Sequence, residues 1–473
     1  MDLFTSEDDR VPAAQQFAGS HGGKRVGIIR NVATQTPVVR GLPVLGNALR
    51  MAKDPAQFFV DCYRQHGPVF RVRILNREYA VIAGAEAANF LGTREGRESL
   101  RSKEFWQGLV DEYGATRTIT GEDGAAHKQL RDIMRRGYSR EAVIDRLDEL
   151  VAITDRNVAK TWRPGSTVPV VHSMQYLVTD QLGELLTGAS RPEYVRDIRI
   201  STLYMLNVLV TKQRPRIMLR DPRYNRAKAR VTELGHKMIA DYQKQSGPPA
   251  ILVDDIMRAH QDNPAAMPAD DLVLSLTGPY VAGLDTVANT LASFVYAVLK
   301  NPEVHARVRA EADELFAEGD ITAANLRGIP AIRGALMETM RLYPIAVAQM
   351  RTATHDFRFA GHLIAEGETV FIGTSVPHFL EEYYPDAKKF DIDRFEKPRA
   401  EHMQPGAYSP YGRGQHVCLG KALADIQMLV TMARMFHKLD LSLNPSDYTL
   451  VRKTAPVPGP SLSFRVQVNG YRN

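Results

Sequence analysis

Residues 411–420 read YGRGQHVCLG, a single cysteine set among glycines and basic residues just before a run with helical periodicity, KALADIQMLVTMARMFHKL. Glycines at 412, 414 and 420 allow backbone conformations and close approaches that a Cβ would block. The spacing predicts a helix starting between Leu419 and Ala422, which puts Cys418 at its N-terminus. Unpaired N–H groups and the helix dipole favour a thiolate there. Only one other cysteine, Cys62, is present; it reads as a small buried hydrophobe. With no CxxC partner, Cys418 does not suggest structural zinc. At most one disulfide is possible in 473 residues, which points to a reducing compartment.

Outward from this loop, the chain reads as one large unit. Its 44% hydrophobic and 24% charged residues suit a soluble globular fold. From about Gly41 to Glu86, a proline-glycine lead, GLPVLGN, is followed by a helix and the alternating segments VFRVRI and YAVIAG, which predict a small sheet. From Ala125 to about Lys300 the spacing is helical, broken at WRPGST, RDPRY and QSGPPA. After MRLYP, DFRFAGHLI and ETVFIG read as a hairpin with Ala360-Gly361 at or near its turn, and SLSFRVQV near the end reads as a strand. The expected fold is mainly α with small β-sheets (α+β), with a flexible N-terminal tail over 1–38 and a single domain over 39–473.

The segment Leu272 to Leu299 is long enough to span a bilayer and carries one charge, Asp285. Gly278, Pro279, Gly283 and Asn289 interrupt it, so it reads as a long central helix buried in a soluble protein. The N-terminus opens with acids and no apolar core, so no signal peptide or transmembrane anchor is expected. A net charge of +6 favours an acidic partner, yet no basic run with interleaved aromatics indicates nucleic acid.

A thiolate held by backbone N–H groups and fitted closely to a plane is what axial ligation of heme iron requires. Tyr411, Gly414, His416, Cys418 and Gly420 resemble the heme-binding loop of the cytochrome P450 superfamily, with Tyr411 where that family usually has Phe. ETMR, with Glu338 and Arg341, and the later Arg394 resemble the family's three-residue structural ion-pair network. AGLDT, with Ala282, Gly283, Asp285 and Thr286, resembles its distal oxygen-binding motif. Here Thr286 can bond back along the helix, and Ala282 with Gly283 leaves space on one face. HKQLR sets His127 and Arg131 on one helical face; with Arg351 and His416 they make four cations for two heme propionates.

The resemblance implies a cytochrome P450 fold with a long helix over heme b (iron protoporphyrin IX), in a heme-thiolate monooxygenase. Cys418 would be the metal ligand, and Asp285 and Thr286 the catalytic pair that delivers protons to reduced dioxygen. The reaction would insert one oxygen atom from O2 into a C–H or C=C bond of a lipophilic small molecule, terpenoid or steroid favoured and fatty acid second. By position in the fold, Phe105–Thr118, Leu203–Val210, Leu276–Gly283, Ile345, Ala346, Val347, Ala348 and Val457 would line the pocket. No flavin, nicotinamide or iron–sulfur fingerprint is present, so a separate ferredoxin or flavodoxin plus reductase is implied, with Arg135, Arg136, Arg413 and Lys421 as docking candidates. A cytoplasmic monomer is expected. Two alternatives remain open: a peroxide-driven peroxygenase or isomerase, and a heme-based sensor or carrier without catalysis.

Overall fold

The helix Ala269–Lys300 runs through the middle of the molecule. Its 32 residues extend about 48 Å at 1.5 Å per residue. Asp270 and Asp271 occupy the first turn and Lys300 the last, each matched to the helix dipole. This helix is apolar and long enough to cross a membrane, but 78% of its most apolar window is buried inside the fold. Leu276, Leu284, Ala288, Leu291 and Val295 pack into the main core with residues of Val170–Thr187, Pro330–Leu342 and Lys421–Lys438. The buried central helix expected from the sequence is therefore present.

The computed structural model describes residues 36–244, 251–317, 319 and 321–472. Most of the expected N-terminal tail lies outside them. Within the described part of it, Arg71 donates its backbone N–H to Pro37 O at 2.8 Å, which fastens residue 37 to the first strand.

A five-stranded sheet joins distant parts of the chain in the order Val69–Ile74, Arg77–Ala83, Thr369–Gly373, Gln349–Ala353 and Leu100–Arg101. The segments VFRVRI and YAVIAG form its antiparallel hairpin, as expected. The later hairpin departs in part from the sequence reading. Ala360-Gly361 does turn Phe357–Phe359 back onto His362–Ile364, but ETVFIG leaves that pair and inserts parallel to Arg77–Ala83, with Ala80 opposite Val370. Val370 and Ile372 bury fully in the larger sheet; long-range burial decides the pairing.

Arg465–Tyr471 pairs antiparallel with both Leu439–Leu443 and Thr167–Pro169. A short hairpin, Arg452–Lys453 with Gly459–Pro460, packs onto the central helix. A Cβ at Gly459 would lie 2.4 Å from Asn289 Cγ, so this contact requires glycine. The architecture is the mainly helical, small-sheet arrangement expected from the sequence.

Candidate functional site

Cys418 ends a loop held in shape by its glycines and by one internal bond. Its N–H donates to Tyr411 O at 3.0 Å. Gly414 has φ +75°, and a Cβ there would strike Leu91 O at 2.2 Å. Gly420 differs, because a Cβ would make only ordinary contacts with the Tyr138 ring at 3.6 Å and Cys418 Sγ at 4.0 Å. The fold alone does not require glycine at 420. Burial pushes the Cys418 thiol up from its ordinary range, while the Gly420 N–H, Arg131 and Lys421 pull it down. The residue nevertheless has accessible surface, as a group lining an internal cleft would. The helix begins at Lys421, inside the expected window.

The four basic residues singled out in the sequence converge beside this loop. His127 is buried on the helix Gly124–Met134, with its ring centroid 4.4 Å from that of His416. Burial, with His416 and Arg131 nearby, pushes His127 down to about 4. One turn on, Arg131 Nη1 donates to Val417 O at 2.8 Å. Arg351 is also buried; it donates to Met350 O and Gln349 Oε1, both at 2.8 Å, and burial lowers it to about 10. Gln349 in turn packs where a Cβ on Gly412 would sit.

An acid that the sequence reading missed holds this group together. Asp123 Oδ1 bonds His416 Nε2 at 2.7 Å and accepts from Gln415 Nε2 at 3.0 Å, while Oδ2 accepts from Ser102 N at 2.8 Å. Burial works to raise Asp123, but the bonds from His416 and Ser102 outweigh it and hold the carboxyl below the usual range. Nothing in the sequence marked it, since its partners lie up to 293 residues away.

On the central helix, accessible surface appears at Ala282 and, to a lesser degree, at Gly283 and Thr286, while Leu284, Asp285 and Val287 are buried. Thr286 Oγ1 bonds back to Ala282 O at 2.7 Å, as expected. Gly283 keeps some accessible surface and also lies against the neighbouring helix. A Cβ there would meet Leu182 Cδ1, on the helix Val170–Thr187, at 2.8 Å. Asp285 faces that same helix, where Gln175 Nε2 donates to its Oδ1 at 2.6 Å in a buried contact. Gln175 was also missed; its only signal is a polar residue inside an apolar helical run.

The ion-pair residues meet away from solvent. Glu338 accepts from Arg341 Nε at 2.7 Å and Arg394 Nε at 3.1 Å, and all three side chains are fully buried. Arg394 also reaches Glu401 at 2.9 Å and the carbonyls of Pro385 and Asp386. Arg341 donates to His378 O. Glu401 and His378 extend the network beyond what the sequence showed.

Below the cysteine, Tyr411 donates its hydroxyl to Asp425, a buried carboxylate on the following helix. Burial raises Asp425 to about 7. Tyr411, the residue that departs from the usual Phe, thus has an acid partner built in.

These features fit heme on the donor set alone. A single accessible thiol follows a glycine-shaped loop, and beside it lie two arginines and two histidines able to donate hydrogen bonds to two carboxylates. A sequence-family model described as Cytochrome P450 matches residues 37–458. The chain belongs to the cytochrome P450 family. It is therefore an oxidoreductase of the monooxygenase type whose cofactor is heme, acting with O2 on a lipophilic substrate. Among relatives of this P450, a putative cytochrome P450 120 of Synechocystis sp. is 26% identical over 91% of this chain and 95% of its own length. A cyclooctat-9-en-7-ol 5-monooxygenase of Streptomyces melanosporofaciens is 25% identical over 89% of this chain and 90% of its own. A solved structure, retinoic acid-bound cyanobacterial CYP120A1, superposes with a TM-score of 0.79 at 24% identity, covering 92% of this chain and 98% of that one.

Within this P450, the expected pocket residues fall into two groups. Ile345, Ala346 and Ala348 retain accessible surface. Leu276 is fully buried in the main core, Val347 packs into the core under the five-stranded sheet, and Val457 is buried on the C-terminal hairpin segment. The helix Lys103–Tyr113, which packs against the strand Gln349–Ala353, contributes Trp106 and Leu109 to an apolar cluster with Met205, Leu209, Leu274 and Val281. Among the docking candidates, Arg135 is exposed, Lys421 is half-buried, and Arg136 is engaged by Asp255 in a bidentate pair.

Proposed function

We propose that this cytochrome P450 hydroxylates or epoxidises a lipophilic molecule of terpenoid or steroid size, drawing electrons from a separate ferredoxin or flavodoxin and its reductase. The observation that carries this reading is the stretch at Ala282 and Thr286. There a buried helix presents accessible surface and a back-bonded hydroxyl, with an acid anchored next to it. Residues 39–473 are read as one catalytic domain, supported by a sheet that pairs strands from residues 69–101 with strands from residues 349–373. We read the protein as a cytoplasmic monomer.

Heme bound here supplies reductive activation of dioxygen and transfer of one oxygen atom, with a thiolate ligand favouring O–O cleavage. Cys418 is the proposed ligand, its sulfur supported by the Gly420 N–H. His127, Arg131, Arg351 and His416 would hold the two propionates, with Asp123 fixing His416. Thr286 is placed to hold water or pass a proton at its hydroxyl. Asp285 is the proposed proton source, with its carboxylate oriented by Gln175 of the neighbouring helix.

Partly exposed aliphatic residues at Ile345, Ala346 and Ala348, together with the apolar cluster of Trp106 and Leu109, support a lipophilic substrate. The relative named for cyclooctat-9-en-7-ol is in keeping with that class. Arg135 and Lys421, beside the cysteine face, suit an acidic electron donor.

The test is a spectral-shift screen of terpenoids, steroids and fatty acids against the ferric protein, followed by turnover of the hits with a ferredoxin and reductase. Oxygenated product from a terpenoid or steroid supports the reading. Full turnover with hydrogen peroxide and no reductase would overturn the electron source, and turnover of fatty acids alone would overturn the substrate class.

A further inference from the structure

Asp425 is a buried acid with no part in the chemistry derived above. It lies on the helix Lys421–Lys438, one turn after its start, with 2% of its surface exposed. Among the described residues its one side-chain partner is the Tyr411 hydroxyl, which donates to it. No arginine or lysine pairs with it there. Lys421, one helical turn back, pulls the carboxyl down only through space.

Burying a carboxylate without a paired cation costs stability. Ile426, Met428 and Leu429, its neighbours on the helix, all pack into the main core, so an apolar side chain would suit the fold better at 425. Neither half of the pair stands without the other. Phe at 411 would leave the acid without its donor, and an apolar residue at 425 would leave the hydroxyl without its acceptor. A buried acid kept at such a cost beside a functional cysteine points to a functional role.

The pair is joined to Cys418 from two sides. Cys418 N donates to Tyr411 O at 3.0 Å, so the backbone that carries the Tyr411 ring also positions the thiol. The helix that carries Asp425 begins three residues after Cys418. Burial pushes the Cys418 thiol up, and the Asp425 carboxylate adds to that push. Burial, Asp425 and then Cys418 raise the Tyr411 hydroxyl. The three groups thus sense one another's charge in a buried, weakly screened space.

A fixed negative charge beside an iron ligand opposes the arrival of an electron at the metal, because the reduced site carries one more negative charge than the oxidised one. We propose that Asp425, held by the Tyr411 hydroxyl, is a positioning residue for the iron ligand Cys418 whose charge lowers the reduction potential of bound heme. The pair makes the iron a poorer acceptor for the external electron donor. This rests on the reading of Cys418 as the ligand.

The experiment is a spectroelectrochemical titration of the heme-loaded protein at about pH 8, above the value of about 7 to which burial raises Asp425. The carbon monoxide spectrum of the reduced protein is recorded on the same samples. Asp425→Asn keeps an acceptor for Tyr411 but carries no charge. It is expected to raise the ferrous-to-ferric ratio at a fixed applied potential about tenfold, a shift of about 59 mV for one electron. Tyr411→Phe/Asp425→Leu removes the pair as a unit and is expected to shift the ratio the same way, which keeps the test open where the Asn variant does not hold heme. Lys421→Gln removes a cation and is expected to shift it the opposite way, by less, since Lys421 is only half-buried. A role confined to packing moves none of these values with the sign of the charge. The thiolate band is expected in the parent and in every variant. With that band retained, an unmoved potential in Asp425→Asn and in the double variant would overturn the proposal alone. Shifts of the same sign in Asp425→Asn and Lys421→Gln would overturn it too. A parent without the thiolate band would overturn the ligand assignment and the role of Asp425 with it.

Discussion

Gln175 holds Asp285 from the neighbouring helix: its Nε2 lies 2.6 Å from Oδ1, and both side chains are buried. The amide therefore sets where the proposed proton source points. A hydrogen bond to a charged group contributes about 1.5–3 kcal/mol, and a stranded carboxylate forfeits it. Gln175→Leu is expected to lower the product formed per electron consumed, with substrate affinity and the reduced carbon monoxide spectrum unchanged. An unchanged coupling ratio would remove Gln175 from the positioning of Asp285.

Thr286→Ala is expected to keep heme and substrate binding and to divert electrons to peroxide, because Thr286 Oγ1 is the accessible hydroxyl on the distal stretch. Asp285→Asn is expected to lower kcat by about 10²-fold, the usual scale for losing a positioned acid or base. Product and peroxide assayed together would show both effects. Full coupling in Thr286→Ala would argue against proton delivery at that position.

The ion-pair network makes the strongest stability prediction. Glu338, Arg341 and Arg394 are fully buried, so removing one partner leaves an uncompensated charge. Glu338→Ala is expected to cost about 3–5 kcal/mol and to give chain that fails to retain heme. Glu401 is partnered at the edge of the network by Arg394 and Arg399, so Glu401→Ala is expected to cost less. Urea unfolding midpoints and heme content would rank the two, and equal losses would contradict this hierarchy.

Tyr411 and Asp425 form a matched pair. Tyr411→Phe restores the residue usual in the family but strands a buried carboxylate, at a cost of about 1–3 kcal/mol. Adding Asp425→Leu is expected to recover most of that loss. A thermal-melt double-mutant cycle measures the coupling, and additive losses would mean the two side chains do not support each other.

These residues show what the sequence could and could not convey. Local spacing was enough for the cysteine loop, for the Glu338–Arg341 pair one turn apart, and for Thr286 bonding to Ala282. Spacing also paired His127 with Arg131, and the family resemblance added Arg351 and His416; the fold brings the four to one place. The partners supplied from elsewhere were not legible. Asp123 reaches His416 across the chain, Gln175 meets Asp285 between helices, and Glu401 joins Arg394 through a loop. ETVFIG likewise joined the larger sheet because burial there outweighed the local hairpin.

Acid should destabilise the protein through its buried histidines. Burial, with Arg341 nearby, pushes His378 down to about 3, and His127 lies at about 4. Both are neutral in the fold, whereas an unfolded histidine titrates near 6.5. Their depressed values add stability that is fully present above pH about 6.5 and is lost as pH falls through the folded values. His378→Asn is expected to give a melting temperature less sensitive to pH between about 6.5 and 3 than the parent's. Parallel pH profiles would contradict that source.

Ligation of heme iron by Cys418 is most directly tested by the carbon monoxide difference spectrum of the reduced protein. The parent is expected to show the strongly red-shifted Soret band of a thiolate ligand, and Cys418→Ala to lack it. Absence of that band in the parent, or its survival in Cys418→Ala, would contradict the assignment of Cys418 as the ligand.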